Sequence, residues 1–270
     1  LLLPVVVVVV CYAPPVQHFA REWGSRQLTE RVGYAVTIGE FRLRFPLRIS
    51  LADVRVADVG SVENVSLRLG VLPLMRGRAV VDYLTAKNLA VRTDTLMPAI
   101  GIDGDVQCVR LDNLEYVWAT HELHLRDVLL SGGDVCLLQH GTNSIDGASV
   151  KRMPLSLHAG SLRLEDMAVE YRTDAMQIAV MAELLCLHES IVDSTMAVSL
   201  QQLTLSDGAV SLSSDAGASS WDFSALNLRI DSIRYARQSA SLNLAALSFV
   251  ESHGIRLHEG AFSLLWDDGV

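Results

Sequence analysis

The chain has 270 residues, of which half are apolar and only 6% aromatic, and its formal net charge is −9. This charge excludes a general nucleic-acid-binding protein, because neutralising phosphates requires a basic surface. The four cysteines Cys11, Cys108, Cys136 and Cys186 are far apart, which excludes a zinc ribbon or a thioredoxin-like motif. We expect four buried thiols; one or two disulfides would fit an oxidising compartment.

The amino-terminal segment LLLPVVVVVVCYA (1–13) is uninterrupted apolar sequence. A membrane-spanning helix needs about 20 apolar residues, so we interpret this segment as the carboxyl half of such a helix. The core of a signal peptide and a buried valine strand are weaker alternatives, since no small-x-small cleavage site closes the run and two prolines follow it. A short amphipathic helix is predicted over 14–33, with Trp23 suited to the membrane interface. An ordinary helix that caps a β core fits that stretch equally well.

From residue 34 to residue 270 the apolar pattern has a period of two, which is typical of strands with one buried and one wet face. Turn-rich stretches such as 131–134, 140–147 and 213–220 separate the alternating segments. The segment MAELLCLHES (181–190) is ambiguous between helix and strand. The sequence therefore predicts a mainly β fold.

The stretch TIGEFRLRFPLRISLADVRVAD (37–58) shows a repeated device. Its apolar residues occupy odd positions up to Leu51, and then even positions from Val54 onward. Continued alternation would direct Asp53 inward, so we expect the backbone to bulge or turn there. The same pattern of two apolar pairs around an acid recurs at 49–56, 123–130, 162–169, 203–210 and 255–262, with a looser copy at 226–235. The acids at these positions are Asp53, Asp127, Asp166, Asp207, Glu259 and Asp231.

Four linked motifs occupy roughly the first ninety residues. They are P-P-V-Q (14–17), FAREWGSRQLTERVGYAVTIGEF (19–41), FPLRISLADVRV (45–56) and LGVLPLMRGR (69–78). In this order they resemble the amino-terminal region of the AsmA-like/TamB superfamily of Gram-negative bacteria, in its Bacteroidota form. Members are usually much longer, and the carboxyl-terminal segment thought to dock on an outer-membrane partner is not recognisable here, so we expect the β units to continue beyond residue 270.

The resemblance implies a single-pass inner-membrane protein with its bulk in the periplasm. It implies an elongated, curved antiparallel sheet, a half-pipe or β-taco, whose apolar face is a groove for phospholipid acyl chains moving toward the outer membrane. An Omp85-family barrel of the TamA or BamA kind is the implied protein partner. Periodicity alone favours a closed β-sandwich instead, because an apolar face needs a covering layer. The expected groove-lining residues are Phe41, Leu43, Phe45, Leu47, Ile49, Leu51, Val54, Val56, Leu123, Leu125, Leu162 and Leu164.

Signals of catalysis are poor, and we predict no enzymatic activity and no cofactor. The sequence contains no nucleophile elbow, P-loop or dinucleotide fingerprint. His121 and His124 are the nearest approach to a metal pair, but residues three apart on a strand face opposite sides, so no metal site is predicted. Arg42, Arg44 and Arg48 have two interpretations: contacts to lipid phosphates at a groove mouth, or a solvated face that deters edge pairing, which is the commoner use.

Three functions remain open on the sequence. The first is a lipid conduit, and the second is a scaffold that pairs its sheet edge with nascent outer-membrane strands. The third is an anchored surface adhesin. An open or a closed sheet would discriminate most sharply between them.

Overall fold

The structure is a computed structural model. It describes residues 22, 25, 26, 29, 34–45, 47–70, 73, 79–97, 100–117, 122–139, 156–173, 176–192, 197–214, 220–236 and 239–267. The apolar segment 1–13 and most of the expected helix 14–33 lie outside these residues. Among the residues described, no helix has the length and apolar character needed to span a bilayer.

The described part of the chain is almost entirely β-strand. Alternating apolar and polar residues explain this, because a strand places successive side chains on opposite faces of a sheet. The ambiguous segment 181–190 lies wholly within a strand. The strands are β1 (Val36–Arg44), β2 (Arg48–Val56), β3 (Gly60–Leu69), β4 (Ala79–Met97), β5 (Ile100–Val117), β6 (Glu122–Gln139), β7 (Ser156–Arg172), β8 (Met176–Val192), β9 (Val198–Ser214), β10 (Ser220–Ala236), β11 (Ser239–Glu251) and β12 (Arg256–Asp267).

These strands form one open sheet in sequence order, with β1 and β12 at its two edges. Neighbouring strands are antiparallel except β6 and β7, which are parallel. Within the described residues, only neighbouring strands share extensive contacts, so no second layer packs on the sheet. The mainly β fold is therefore confirmed, and the closed sandwich that periodicity favours is wrong for this part of the chain.

The stretch 37–58 is a hairpin rather than one long ribbon. Leu43 pairs with Ile49 and Phe41 with Leu51 across β1 and β2, while Phe45 lies in the connecting turn. Odd-numbered apolar residues stay on one face through this hairpin because paired residues share a face. Because the apolar alternation continues from β1 into β2 without a change of phase, it gave no sign of the turn between them.

A row of residues with positive φ crosses the sheet at nearly one level, and we call it the first kink row. At these positions the apolar residues change between odd and even numbers, as from Leu51 to Val54 in β2 and from Leu164 to Met167 in β7. The bend predicted at Asp53, Asp166 and Asp207 is confirmed, and these acids point to solvent. The first kink row consists of Asp53 (φ 51°), Asn88 (51°), Gly132 (64°), Asp166 (51°), Asp207 (48°) and Ala225 (48°).

The other predicted bends are built differently. Asp127 does not have positive φ; the left-handed residue is Asn113 (φ 53°) on the neighbouring strand, beside the pair Asp112–Asp127. Asp231 lies at a register shift in the pairing of β10 with β11. Glu259 lies beside a register shift in the pairing of β11 with β12. A phase change of the apolar pattern therefore needs a kink somewhere in the strand pair, which the acid itself does not always supply.

The two edges of the sheet differ. Ala57 donates its N–H to the carbonyl of Ala35 (2.9 Å), so the backbone groups of the next residue, Val36, face the open edge of β1. There Val36 donates its N–H to Thr29 Oγ1 (3.0 Å), and Ser25 Oγ donates to the Val36 carbonyl. Ser25 and Thr29 have helical backbone; the rest of the expected helix stays a prediction. These two side chains cover the start of the β1 edge.

The β12 edge carries several exposed apolar side chains. Phe262, Leu264, Leu265 and Trp266 are 45–80% exposed. Within the described residues, no strand pairs with the outer edge of β12. A row of backbone N–H and C=O groups is consequently presented beside apolar side chains.

Candidate functional site: the apolar face

Apolar side chains form rows that run across all twelve strands, each row joining residues that are direct partners in the register. We call the face that they cover the apolar face. One row is Leu43, Ile49, Leu67, Leu84, Leu111, Val128, Leu162, Leu187, Leu203, Ile230, Leu244 and Phe262. The next is Phe41, Leu51, Val65, Ala86, Val109, Leu130, Leu164, Leu185, Leu205, Leu228, Leu247 and Gly260.

The apolar face is half-buried rather than sealed. Leu84, Leu111, Leu162 and Leu187 are all partly exposed, although each has an apolar partner on both neighbouring strands. The tightest packing is a cluster around Leu205 (4% exposed), where the first kink row brings neighbouring rows together. Side chains of this size would be fully buried in a two-layer sandwich. The side chains of the apolar face thus shield one another only partly, and a large apolar surface stays exposed.

Ten of the twelve expected groove-lining residues lie in the sheet with their side chains on the apolar face. Leu123, Leu125, Leu162 and Leu164 lie at its centre in β6 and β7, and the others belong to β1 and β2 near one edge. Phe45 and Leu47 are placed differently from the others. Both are in the β1–β2 turn, where Phe45 is 74% exposed and Leu47 has φ 63°.

Sequence reasoning missed the strands between the two groups. No lining residue was expected in β4 or β5, yet Leu84 and Leu111 stand in the first row. The sequence does contain a signal for these strands. In β4 the apolar residues Leu84 and Ala86 have even numbers, Leu89 and Val91 have odd numbers, and the phase changes at the kink of Asn88. A search for alternation that tolerates one phase change per strand would have found them.

The opposite face, which we call the outer face, carries most of the charge. Four arginines there pair with a carboxylate two residues away on the same strand, where side chains share a face. All four are about half exposed, so each pair contributes little stability on its own. The pairs are Arg42–Glu40 (2.8 Å), Arg163–Glu165 (2.6 Å), Arg172–Glu170 (2.5 Å) and Arg229–Asp231 (3.0 Å).

The described histidines form no metal centre. The His124 ring stacks on His158 of β7 with centroids 4.8 Å apart, and His124 Nε2 lies 3.2 Å from Glu122 Oε2. His121 lies outside the described residues. Among the residues that are described, no group of three or more His, Cys, Asp or Glu side chains could hold a metal ion.

The three described cysteines are unpaired thiols. Cys108, Cys136 and Cys186 are partly buried, so the expected free state is observed for these three, whereas full burial is not. Burial, helped by the nearby Glu170 carboxylate, raises the pKa of the Cys136 thiol. Such a thiol is poorly nucleophilic at neutral pH.

A carboxylate ends one row of the apolar face. Val180, Val210 and Phe223 are successive partners in this row, and the partner of Phe223 on β11 is Glu251, which is only 2% exposed. The Glu251 carboxylate accepts hydrogen bonds from His253 Nδ1 (2.5 Å) and from the His253 backbone N–H (2.8 Å).

These bonds shift both pKa values. The hydrogen bond from the His253 side chain lowers the pKa of Glu251 against the opposing effect of burial, and the same bond raises the pKa of His253. The charged pair is held at the turn between β11 and β12.

Comparison with known proteins adds no identity. The chain matches no protein-family model, and no curated protein matches it significantly. The resemblance to the AsmA-like/TamB superfamily therefore stays a prediction from the sequence motifs.

Proposed function

We propose that this chain is a non-enzymatic lipid-carrying protein that shields phospholipid acyl chains on its apolar face. One observation carries the proposal: the rows that begin at Leu43 and at Phe41 cross all twelve described strands without a charged side chain, on a sheet that no second layer of described residues covers. Burying each CH₂ group of a bound chain contributes about 0.8 kcal/mol. A continuous apolar path lets a bound chain move without meeting a polar barrier.

The first kink row supports the shape that the proposal needs. A bend at one level in six of the twelve described strands favours folding of the sheet along a line, with the apolar face as the inside of a curved groove. Leu and Val with few aromatics suit flexible acyl chains. The resemblance to the AsmA-like/TamB superfamily extends the proposal to an inner-membrane-anchored periplasmic protein that moves phospholipid toward the outer membrane.

The test is to trap the lipid on the protein. The chain is purified in mild detergent and analysed by native mass spectrometry, and a photoreactive residue is introduced at Leu43 or Ile49. Co-purifying phospholipid and lipid adducts at both positions are expected, whereas Ser50, the outer-face neighbour of Ile49, should give none. Absence of both phospholipid and adducts would overturn the proposal.

Substitutions distinguish an open groove from a core. Leu43→Asp or Leu51→Asp should sharply lower the co-purifying lipid while circular dichroism stays that of a folded β protein, because the site is partly exposed. Leu265→Asp, at an 80% exposed position on the outer face, is the matched control and should keep its lipid. Global unfolding by Leu43→Asp would contradict the groove.

The alternative is a scaffold for insertion and assembly of outer-membrane proteins with an Omp85-type barrel. Within the described residues, the exposed apolar side chains and the unpaired outer edge of β12 favour it, because such an edge accepts an added strand. Of two adjacent residues in β12, one directs its backbone N–H to the open edge of the sheet. Of the variants Ser263→Pro and Leu264→Pro, the one that removes this N–H should therefore abolish co-purification of a barrel protein. No co-purifying barrel protein would remove this alternative.

A further inference from the structure

The turn between β1 and β2 carries an exposed aromatic side chain and is flanked by arginines. Phe45 is 74% exposed, and Leu47 holds a left-handed conformation (φ 63°). Arg44 is the last residue of β1 and Arg48 is the first of β2. We call Arg44, Phe45, Leu47 and Arg48 the hairpin tip.

Three arginines are direct neighbours across three strands beside this tip. Arg44 pairs in register with Arg48, and Arg48 with Arg68 of β3. Like charges directly opposite each other in a sheet destabilise it. The fold relieves this only in part: Arg68 forms an ion pair with Asp82 (3.2 Å), and the Arg48 guanidinium lies over the Tyr83 ring (5.7 Å).

The positive charge therefore stays concentrated at this end of the sheet. No described residue forms an ion pair or hydrogen bond with the Arg44 guanidinium. The opposite ends of β2 and β3 carry Asp53, Asp58 and Glu63, with Arg55 as the basic residue among them. In a chain with a net charge of −9, the tip is a local basic site.

We propose that the hairpin tip is a docking site for the headgroup region of an anionic membrane. Phe45 and Leu47 insert at the boundary between headgroups and acyl chains, while Arg44, Arg48 and Arg68 contact lipid phosphates. An exposed aromatic side chain between basic residues has the chemistry of such an interface. Arginine on an edge strand also deters strand pairing, but that role explains neither the exposed Phe45 nor Arg68 in an interior strand.

Docking would hold the β1 end of the sheet against the bilayer. Phe41, Leu43 and Ile49 begin the rows of the apolar face only a few residues from the tip. The tip would thus place the entrance of the apolar face beside lipid, a consequence that rests on the proposed function. The docking itself does not.

The full chain is reconstituted into vesicles of phosphatidylcholine alone or with about one-third phosphatidylglycerol. A photoreactive benzoyl-phenylalanine replaces Phe45, a close structural analogue, and lipid adducts are quantified after illumination. Leu265, which is 80% exposed but far from the tip, is the control position for crosslinking. Lipid adducts are expected at position 45, in higher yield with the anionic lipid, and few at position 265.

Charge removal gives the decisive comparison. Each arginine near an anionic surface contributes roughly a fivefold gain in binding. The double variant Arg44→Ala/Arg48→Ala should lower the adduct yield at position 45 at least fivefold in anionic vesicles. The matched variant Arg55→Ala/Arg92→Ala removes two arginines at the opposite end of the same part of the sheet and should leave the yield unchanged.

The outcomes separate this proposal from the proposed function. No lipid adduct at position 45, equal yields in both vesicle types, or an adduct to another protein would overturn docking. Adducts at position 45 without any at Leu43 or Ile49 would support docking while contradicting lipid carriage on the apolar face. Adducts at Leu43 and Ile49 without any at position 45 would support lipid carriage on the apolar face and contradict docking.

Discussion

Leu162 and Arg163 are neighbours in β7, but the rows to which they belong differ in kind. The row of Leu162 is aliphatic on strand after strand until it ends at Phe262 on the last edge. The row of Arg163 passes through a leucine, a cysteine, a threonine and a second arginine. Water tolerates any side chain on the outer face, so residue type varies there. The uniform residue type of the Leu162 row is what the proposed contact with acyl chains requires.

The largest difference between the two faces should appear in leucine truncations. Leu205→Ala should lower the free energy of unfolding by about 2–4 kcal/mol, because Leu205 is 4% exposed and packs in the apolar cluster. Leu265→Ala, at an 80% exposed outer-face position, should cost less than about 0.5 kcal/mol. Urea unfolding followed by circular dichroism measures both. Equal costs would mean that the apolar face is not a packing surface.

The kinks keep the two faces separate, and substituting one should have the next largest effect. Asp166→Val should cost about 1–2 kcal/mol, because a β-branched residue disfavours the left-handed φ of 51°. Asp166→Asn should be nearly neutral, since asparagine tolerates this conformation. Ala225 has φ 48° without a polar side chain, so Ala225→Gly should be neutral or stabilising in the same unfolding assay. If Asp166→Val costs nothing, the kink is not a constraint.

The buried Glu251 tests how a charge is tolerated on the apolar face. Its lowered pKa means that its stabilising contribution is complete above the ordinary pKa of 4.5 and is lost as pH falls below it. The raised pKa of His253 means that its contribution is complete below the ordinary pKa of 6.5 and is lost as pH rises. The pair should therefore stabilise the β11–β12 turn most between about pH 4.5 and 6.5.

Thermal unfolding measured from pH 4 to pH 9 checks this expectation. The difference in Tm between the parent protein and His253→Ala should be largest inside that window and shrink on both sides. Ile255→Ala, at a 57% exposed position beside the same turn, removes no ionisable group; it is the control and should give a difference that changes little with pH. Parallel profiles for the parent and His253→Ala would contradict the role of the pair.

The smallest effect is expected for an ion pair on the outer face. Arg163→Ala removes the 2.6 Å pair with Glu165 and should change the free energy of unfolding by less than about 1 kcal/mol, because both groups are partly exposed. Raising the salt concentration should reduce that difference further. A cost comparable to Leu205→Ala would show that the two faces contribute alike.

Local pattern made the strands and some of the kinks predictable. Period-two alternation correctly indicated β structure after residue 34, and the phase change at Asp53 correctly located a bend. The bend near Asp127 was not predictable in detail, because its left-handed residue is Asn113 on the neighbouring strand. A kink belongs to a strand pair, and pairing is invisible in one sequence.

The open sheet could not be derived from alternation alone, because a sandwich and an open sheet have the same period. The hairpin at Phe45 was hidden for a related reason. Leu43 and Ile49 stay in phase through the turn, so the pattern reads as one strand. The site residues of β1 and β2 were recognised as an apolar stripe, whereas their continuation through Leu84 and Leu111 depends on register.

The strands lie in the sheet in sequence order, so each additional strand lengthens the apolar face by a fixed amount. Each strand widens the sheet by about 4.8 Å, so twelve strands give an apolar face roughly 50 Å long, measured along the hydrogen-bond direction. Adding or deleting a hairpin would change that reach by about 10 Å and leave the remaining rows in phase, since kinks recur at the same level across the sheet. In such an architecture the length of the apolar face is set by the number of strands.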